Sequence, residues 1–281
     1  MKKSNIIWLC IAACLTISGA LIFTVALYQA NWDFASLSTG EFTTTTYEIN
    51  EEFKDISIDI ATSDITILPS PDGKCRLECH DQEGARHTFF VENGELKINL
   101  EDSRKWYERI GNFDSTKITV YLPDSFSGKI SVEATTSDVT IKNVYPEALE
   151  IDITTGDILI ENVLFTGNVE LELSTGEAML KNIKCASLLS DAGTGDILLE
   201  DVIAQGKFEI KRTTGDVKFV RCDAAEIYVN TNTGDVTGTL LSEKNFSAQA
   251  TTGDVHVPNT DNGGICRIHT TTGDIRIRIA D

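Results

Sequence analysis

Eight carboxylates recur at near-constant intervals: Asp138, Asp157, Glu177, Asp196, Asp216, Asp235, Asp254 and Asp274, in steps of 19 or 20 residues. If each interval is one turn of a stacked β-coil, neighbouring carboxylates lie about 4.8 Å apart and repel by about 0.9 kcal/mol per pair in water. Solvent screening, hydrogen bonds from turn amides, or bound cations would relieve that repulsion. The metal chemistry this spacing suggests is a calcium ladder on the eight carboxylates. The glycine-rich nonapeptide calcium repeat is not present, however. Asp is also a favoured turn residue because its side chain accepts from its own turn amides, so a structural corner is the preferred reading and no cofactor is expected.

The remaining reactive side chains are scattered. His80, His87, His256 and His269 lie far apart, the last two on outward positions. No nucleophile elbow, phosphate-binding loop, zinc-helix motif or dinucleotide fingerprint occurs. No catalytic residue is assigned, and the chain is not read as an enzyme. Beyond Cys10 and Cys14, the cysteines are Cys75, Cys79, Cys185, Cys222 and Cys266, an odd number at irregular spacing. They outline no disulfide framework. Cys75, Cys79, Cys222 and Cys266 fall at apolar positions, as small buried hydrophobes do.

Each acidic residue closes a four-residue corner. It is cleanest at Thr154–Asp157, Thr213–Asp216, Thr251–Asp254 and Thr271–Asp274, and carries Ser for Gly at Ser63 and Ser137. Apolar residues alternate on both sides of it. Seven before the Gly or Ser stand Ile56, Ile130, Leu149, Val169, Leu188 and Phe208; two after it stand Ile65, Val139, Ile158, Ala178 and Ile197. Period-2 alternation marks strands, and a fixed period of this size marks a solenoid. An antiparallel meander would need some sixteen strands in one open sheet, more than such sheets usually sustain. The expected fold is therefore all-β, a right-handed parallel β-helix of 19–20 residues per coil. Its Gly corners supply positive φ. The Thr before each Gly shares the parity of the buried columns and is expected to point inward. Arg212 stands in an inward column, which requires either a bulge or a carboxylate partner.

The repeat lapses between Ser63 and Ser137. Strand patterns at 75–79, 89–91, 96–100 and 118–122, with an Asn93-Gly94 hairpin signal, read as inserted antiparallel strands with a loop near Trp106–Gly111. The organisation expected is residues 1–5 as a cytoplasmic N-terminus, 6–28 as a transmembrane signal anchor, and 29–52 as a stalk. Residues 53–128 then form a first coil plus antiparallel cap, and 129–281 the solenoid.

The anchor rests on the uncharged run Ile6–Leu27, long enough to cross a bilayer. Lys2 and Lys3 precede it and Asp33 and Glu41 follow, so the C-terminal part is expected outside the cell. The formal net charge of −19 argues against nucleic acid.

The strand–Thr-Gly-Asp–strand repeat behind a membrane anchor, over roughly Phe53–Ile279, resembles the bacterial "putative adhesin" β-strand-repeat family. That resemblance implies a right-handed β-helix on a bacterial cell surface, anchored by a single pass. Its partner would be an extracellular glycan, protein or envelope polymer. The alternatives are an envelope-stress regulatory or structural module acting through other membrane proteins, and a calcium-dependent polysaccharide-acting β-helix.

Overall fold

The computed structural model of the protein describes residues 3–29, 32, 41–104, 115–260 and 262–280. The Trp106–Gly111 loop and most of residues 29–40 of the expected stalk lie outside the described residues. Among the described residues the chain is all-β apart from one N-terminal helix, and it divides into two units.

The first unit contains α1 (Lys3–Gln29). It is long and apolar enough to cross a membrane over Ile11–Gln29. Three hydroxyls on it are satisfied within the helix: those of Thr16, Ser18 and Thr24 donate to the carbonyls of Ala12, Leu15 and Ala20 at 2.9, 3.0 and 2.7 Å. Such back-bonding is what an apolar surrounding demands of a hydroxyl.

The second unit begins with β1 (Phe42–Glu48), β2 (Asp55–Thr62), β3 (Asp64–Pro69), β4 (Arg76–Gln82), β5 (Ala85–Glu92), β6 (Glu95–Asp102) and β7 (Lys117–Leu122). The repeats follow as β8 (Lys129–Thr136), β9 (Val139–Lys142), β10 (Ala148–Thr155), β11 (Ile158–Leu164), β12 (Val169–Thr175), β13 (Ala178–Cys185) and β14 (Leu188–Thr194). Two long strands, β15 (Ile197–Thr214) and β16 (Val217–Thr233), each run through a whole turn. The chain closes with β17 (Val236–Leu240), β18 (Lys244–Thr252), β19 (Val255–His256), β20 (Gly264–Thr272) and β21 (Ile275–Ile279).

Strands before the corners pair in parallel and in register with one another, as do strands after them. Leu149 faces Val169 and Ile130, and Ile158 faces Ala178 and Val139. The alternating Ile, Val and Leu of each strand therefore stack on their counterparts, giving one continuous buried core from Ile56 to Ile277. Ile56, Ile65, Leu149, Val169 and Ile197 are almost wholly buried.

Rung order departs from chain order at both ends. β6 pairs with β2 in parallel, and β7 with β3. β6 and β7 therefore form a rung outside the chain's first one, where the sequence suggested antiparallel strands. The antiparallel strands are β1, β4 and β5: β5 lies along β6, and β1 lies along β4, which lies along β7. Phe42–Glu48, read as stalk, is therefore a strand of the sheet. The hairpin between β5 and β6 does turn at Asn93 and Gly94, with φ of 56° and 80°. At the other end β16 pairs with β20, and β20 with β18. The chain's last rung thus sits between the two preceding it.

The corner glycines are fixed by stacking as well as by conformation. Gly195 has φ 133°, and a Cβ there would lie 1.9 Å from the carbonyl oxygen of Gly176 in the next rung. Ser63 and Ser137 are not left-handed; their corners are built differently and bury the hydroxyl side chain. Gly195→Ala is accordingly expected to destabilise the chain by about 3 kcal/mol or more, combining strain with overlap. Denaturant unfolding followed by circular dichroism measures it.

Candidate functional site

The Thr-Gly-Asp corners form the most regular exposed feature. All nine Thr that precede the Gly or Ser, from Thr62 to Thr272, are exposed rather than inward. The chain bends after the third inward position (Ile153, Leu173 and their counterparts), and the bend turns the next two residues out together. Two threonines that do point inward are Thr231 and Thr270, whose hydroxyls donate to the carbonyls of Gly215 and Gly234 at 3.3 and 3.0 Å.

The acidic column is wired between rungs. The amide of Asp157 donates to Asp138 Oδ1 at 2.8 Å, that of Glu177 to Asp157 at 2.8 Å, and that of Asp216 to Asp196 at 2.7 Å. Asp235 donates to Asp216, Asp274 to Asp235, and Asp254 to Asp274, each at 2.7 Å. The last two links follow the exchanged rung order. Each such carboxylate accepts from the amide of the next rung, not from its own turn as expected. The Asp254 amide holds the Asp274 carboxyl below its ordinary range. Among the described residues, no group of three His, Cys, Asp or Glu side chains has the geometry to hold a metal ion.

A second corner was missed in the sequence. Asn143, Asn162, Asn182, Asp201 and Arg221 all have φ between 52° and 56°. Asn is the residue besides Gly that most readily takes this conformation. The signal was there: Asn at the same interval of 19 or 20. Asn182 Nδ2 donates to Asn162 Oδ1 at 2.9 Å, and Arg221 Nε donates to Asp201 Oδ1 at 2.7 Å.

Of two buried polar groups, one was not legible in the sequence and the other, at Arg212, was legible without its partner. Ser63 Oγ lies 3.0 Å from His87 Nε2, and His87 Nδ1 lies 2.5 Å from Asp81 Oδ1. The Ser63 amide donates to Ser137 Oγ at 3.3 Å. The order of groups matches a serine–histidine–aspartate relay, but Ser63 is 1% exposed and the His87 side chain 0%. A sealed hydroxyl cannot meet a substrate; the trio locks the first Ser corner to β4 and β5. The second group is Arg212, 4% exposed, whose Nη2 donates to Ser190 Oγ at 2.9 Å and Nη1 to the Lys211 carbonyl at 2.7 Å. Ala192, Arg212 and Thr231 stay in register, so no bulge forms there. Burial pulls the guanidinium down to about 10, against the attraction of Asp191 and Asp196. The cysteines behave as small hydrophobes: Cys75, Cys79, Cys185 and Cys266 are buried thiols pushed up to about 12.

On the outer face near the exchanged rungs, a groove of about 520 Å³ runs past Lys207, Lys211, Tyr228, Arg267 and His269. Arg267 sits over the Tyr228 ring at 5.8 Å, a cation–π arrangement. Lys207 and Lys211 hold Glu209 at 2.6 and 2.8 Å and draw its carboxyl down to about 2. Aromatic and cationic groups converge here on a chain whose net charge is −19.

A family model described as Toastrack DUF4097 matches residues 53–281. A "putative adhesin" structure from Bacteroides fragilis is 18% identical with a TM-score of 0.58, covering 86% of this chain and 99% of that one. A "putative lipid binding protein" from Parabacteroides distasonis is 14% identical with a TM-score of 0.54, covering 86% and 98%. Among curated proteins no match is found. At such identities the likeness of the solved structures is one of fold.

Two outcomes test the buried groups. Ser190→Val strands the Arg212 guanidinium and is expected to cost about 1–3 kcal/mol. Arg212→Leu in the same background should recover that loss, as read from denaturant midpoints. For His87, burial outweighs the pull of Asp81 and lowers its pKa from 6.5. The unfolded chain then takes up the proton first, so stability is lost as pH falls below that value, until the lower folded value is passed. The melting temperature should therefore drop as pH falls below 6.5, and His87→Gln should flatten part of the drop.

Proposed function

The chain belongs to the Toastrack DUF4097 family, and from that premise we propose a non-enzymatic, membrane-anchored, extracellular binding scaffold of adhesin type. Its two parallel ladders are read as faces of a right-handed β-helix, following the handedness of parallel crossovers. Lys2 and Lys3 support a cytoplasmic N-terminus, with α1 as a single-pass anchor and the strands outside. The observation that carries the reading is the groove at Tyr228 and Arg267. It gathers cations and an aromatic face on an acidic surface, the chemistry that recognises an anionic glycan or envelope polymer. In-register stacking keeps that surface rigid, so little ordering cost opposes binding.

The full chain, reconstituted in vesicles, is expected to retain isolated anionic envelope polymer. Tyr228→Ala with Arg267→Ala should weaken retention about tenfold or more, the loss of a stacked and charged contact. Equal retention by the variant would sink the assignment to this groove. Co-purification with other membrane proteins, without any retained polymer, would favour the envelope-module alternative.

The acidic column is read as structural, its Oδ1 atoms occupied by amides of the adjoining rung. Melting temperature is accordingly expected to be the same with calcium and with a chelator. A rise of several degrees with calcium would reassign Asp138 to Asp274 as ion ligands.

A further inference from the structure

The two ends of the stack are finished differently. At one end β5 lies along β6, and β4 and β1 lie beyond β7, all antiparallel. Tyr47 of β1 meets Phe89 of β5 with ring centroids 4.9 Å apart, and Leu77 and Ala85 are fully buried beneath. At the other end the outermost rung is β18 with β19. Among the described residues these strands pair on one side, with β20 and β21. Phe246, Ala248, Ala250 and Val257 are only partly buried there and Val255 is 38% exposed. In the same columns one rung inward, Cys266, Ile268, Thr270 and Ile275 are buried.

That edge is guarded at its start, where Lys244 of β18 turns inward to Asp223 at 2.6 Å and the Thr260 hydroxyl donates to the Lys244 carbonyl at 2.6 Å, but the strand beyond is neutral. Native sheet edges are blunted by charge, proline, bulges or a covering segment. Residues 245–253 read Asn-Phe-Ser-Ala-Gln-Ala-Thr-Thr-Gly, with no charged side chain. Other strands of this ladder carry outward charge, such as Glu133, Glu150, Glu172, Asp191, Lys211 and Arg267. Because β20 and β21 are tucked inside, the edge rung is held by the chain at both of its ends and is not a fraying terminus.

We propose that the β18–β19 rung is an interface for a second copy of this chain, joined edge to edge with β18 antiparallel to its counterpart. An occupant has to bring an unpaired strand beside β18 and an apolar surface over Phe246, Val255 and Val257. The same end of another copy brings both. Its neutral strand spares the contact the like-charge repulsion that the rest of the acidic surface would impose. The opposite end finishes in β1, which among the described residues pairs only with β4 and is mostly exposed, so it offers a head-to-tail neighbour no apolar column to match. The contact is isologous and closes as a two-fold dimer, not a fibre. This inference stands apart from the groove and its ligand.

The test uses the full chain in detergent micelles, with Cys10→Ala and Cys14→Ala to remove both thiols of α1. Ser247→Cys, on the exposed side of β18, should give a disulfide-linked dimer under mild oxidation, whereas Ser131→Cys on β8 should not. Light scattering of the otherwise unmodified chain should report twice the chain mass. Ser247→Lys with Gln249→Lys, both exposed positions, should halve it while the circular dichroism stays that of the folded chain. Equal cross-linking at both cysteine positions, a monomeric parent chain, or a dimer undisturbed by the lysines would each overturn the proposal.

Discussion

The closeness of one rung to the next at the Thr-Gly-Asp corner is the constraint on which the structure rests. A glycine at φ near 140° brings its Cα against the carbonyl oxygen of the rung beside it, leaving no room for a Cβ. The same approach brings each following amide within reach of the neighbouring carboxylate. A repulsive file of like charges thereby becomes a file of charge-assisted hydrogen bonds, which are stronger than neutral ones. Glu177 marks the limit of the device. Its amide donates to Asp157, but its longer side chain replaces the Asp that serves the next rung elsewhere.

Polar groups in the core are handled in complementary pairs. Ser190 and Arg212 each interrupt an apolar column and bond each other, with the Lys211 carbonyl taking a second guanidinium nitrogen and Nε left without a partner. The Ser63 and Ser137 corners give up the left-handed glycine and instead bury hydroxyls, bonded to His87 and to the Ser63 amide. Buried polar groups are costly unless paired, so these exceptions stabilise only as sets. The relay-like order of Ser63, His87 and Asp81 is one outcome of that requirement, closed to solvent and hence without catalytic reach.

Exchange of rung order at both ends follows from the cost of an open edge. Tucking the first and last repeats one place inward gives each of them neighbours on both sides. The outermost positions pass to segments connected to the fold through both of their ends. At one end two antiparallel layers cover that position. At the other the apolar columns stop at a neutral strand, an arrangement suited to another β edge.

Periodicity in the sequence determined the strands, the apolar columns and the Gly corners, while a turn dipeptide marked the Asn93-Gly94 hairpin and an uncharged apolar run marked the helix. Residues one interval apart have the same neighbours, so repetition alone reveals which side chains stack. It carries no information on vertical order, because every copy fits over every other. It also misplaced the corner Thr, since alternation assumes a straight strand and the chain bends one residue earlier. The Asn corner was visible at the same spacing, but the Ser63–His87–Asp81 set joins residues with no shared period. Such pairings, the exchanged rungs and the groove at Tyr228 exist only once distant segments are packed, because burial and edge pairing act between segments that the sequence does not order.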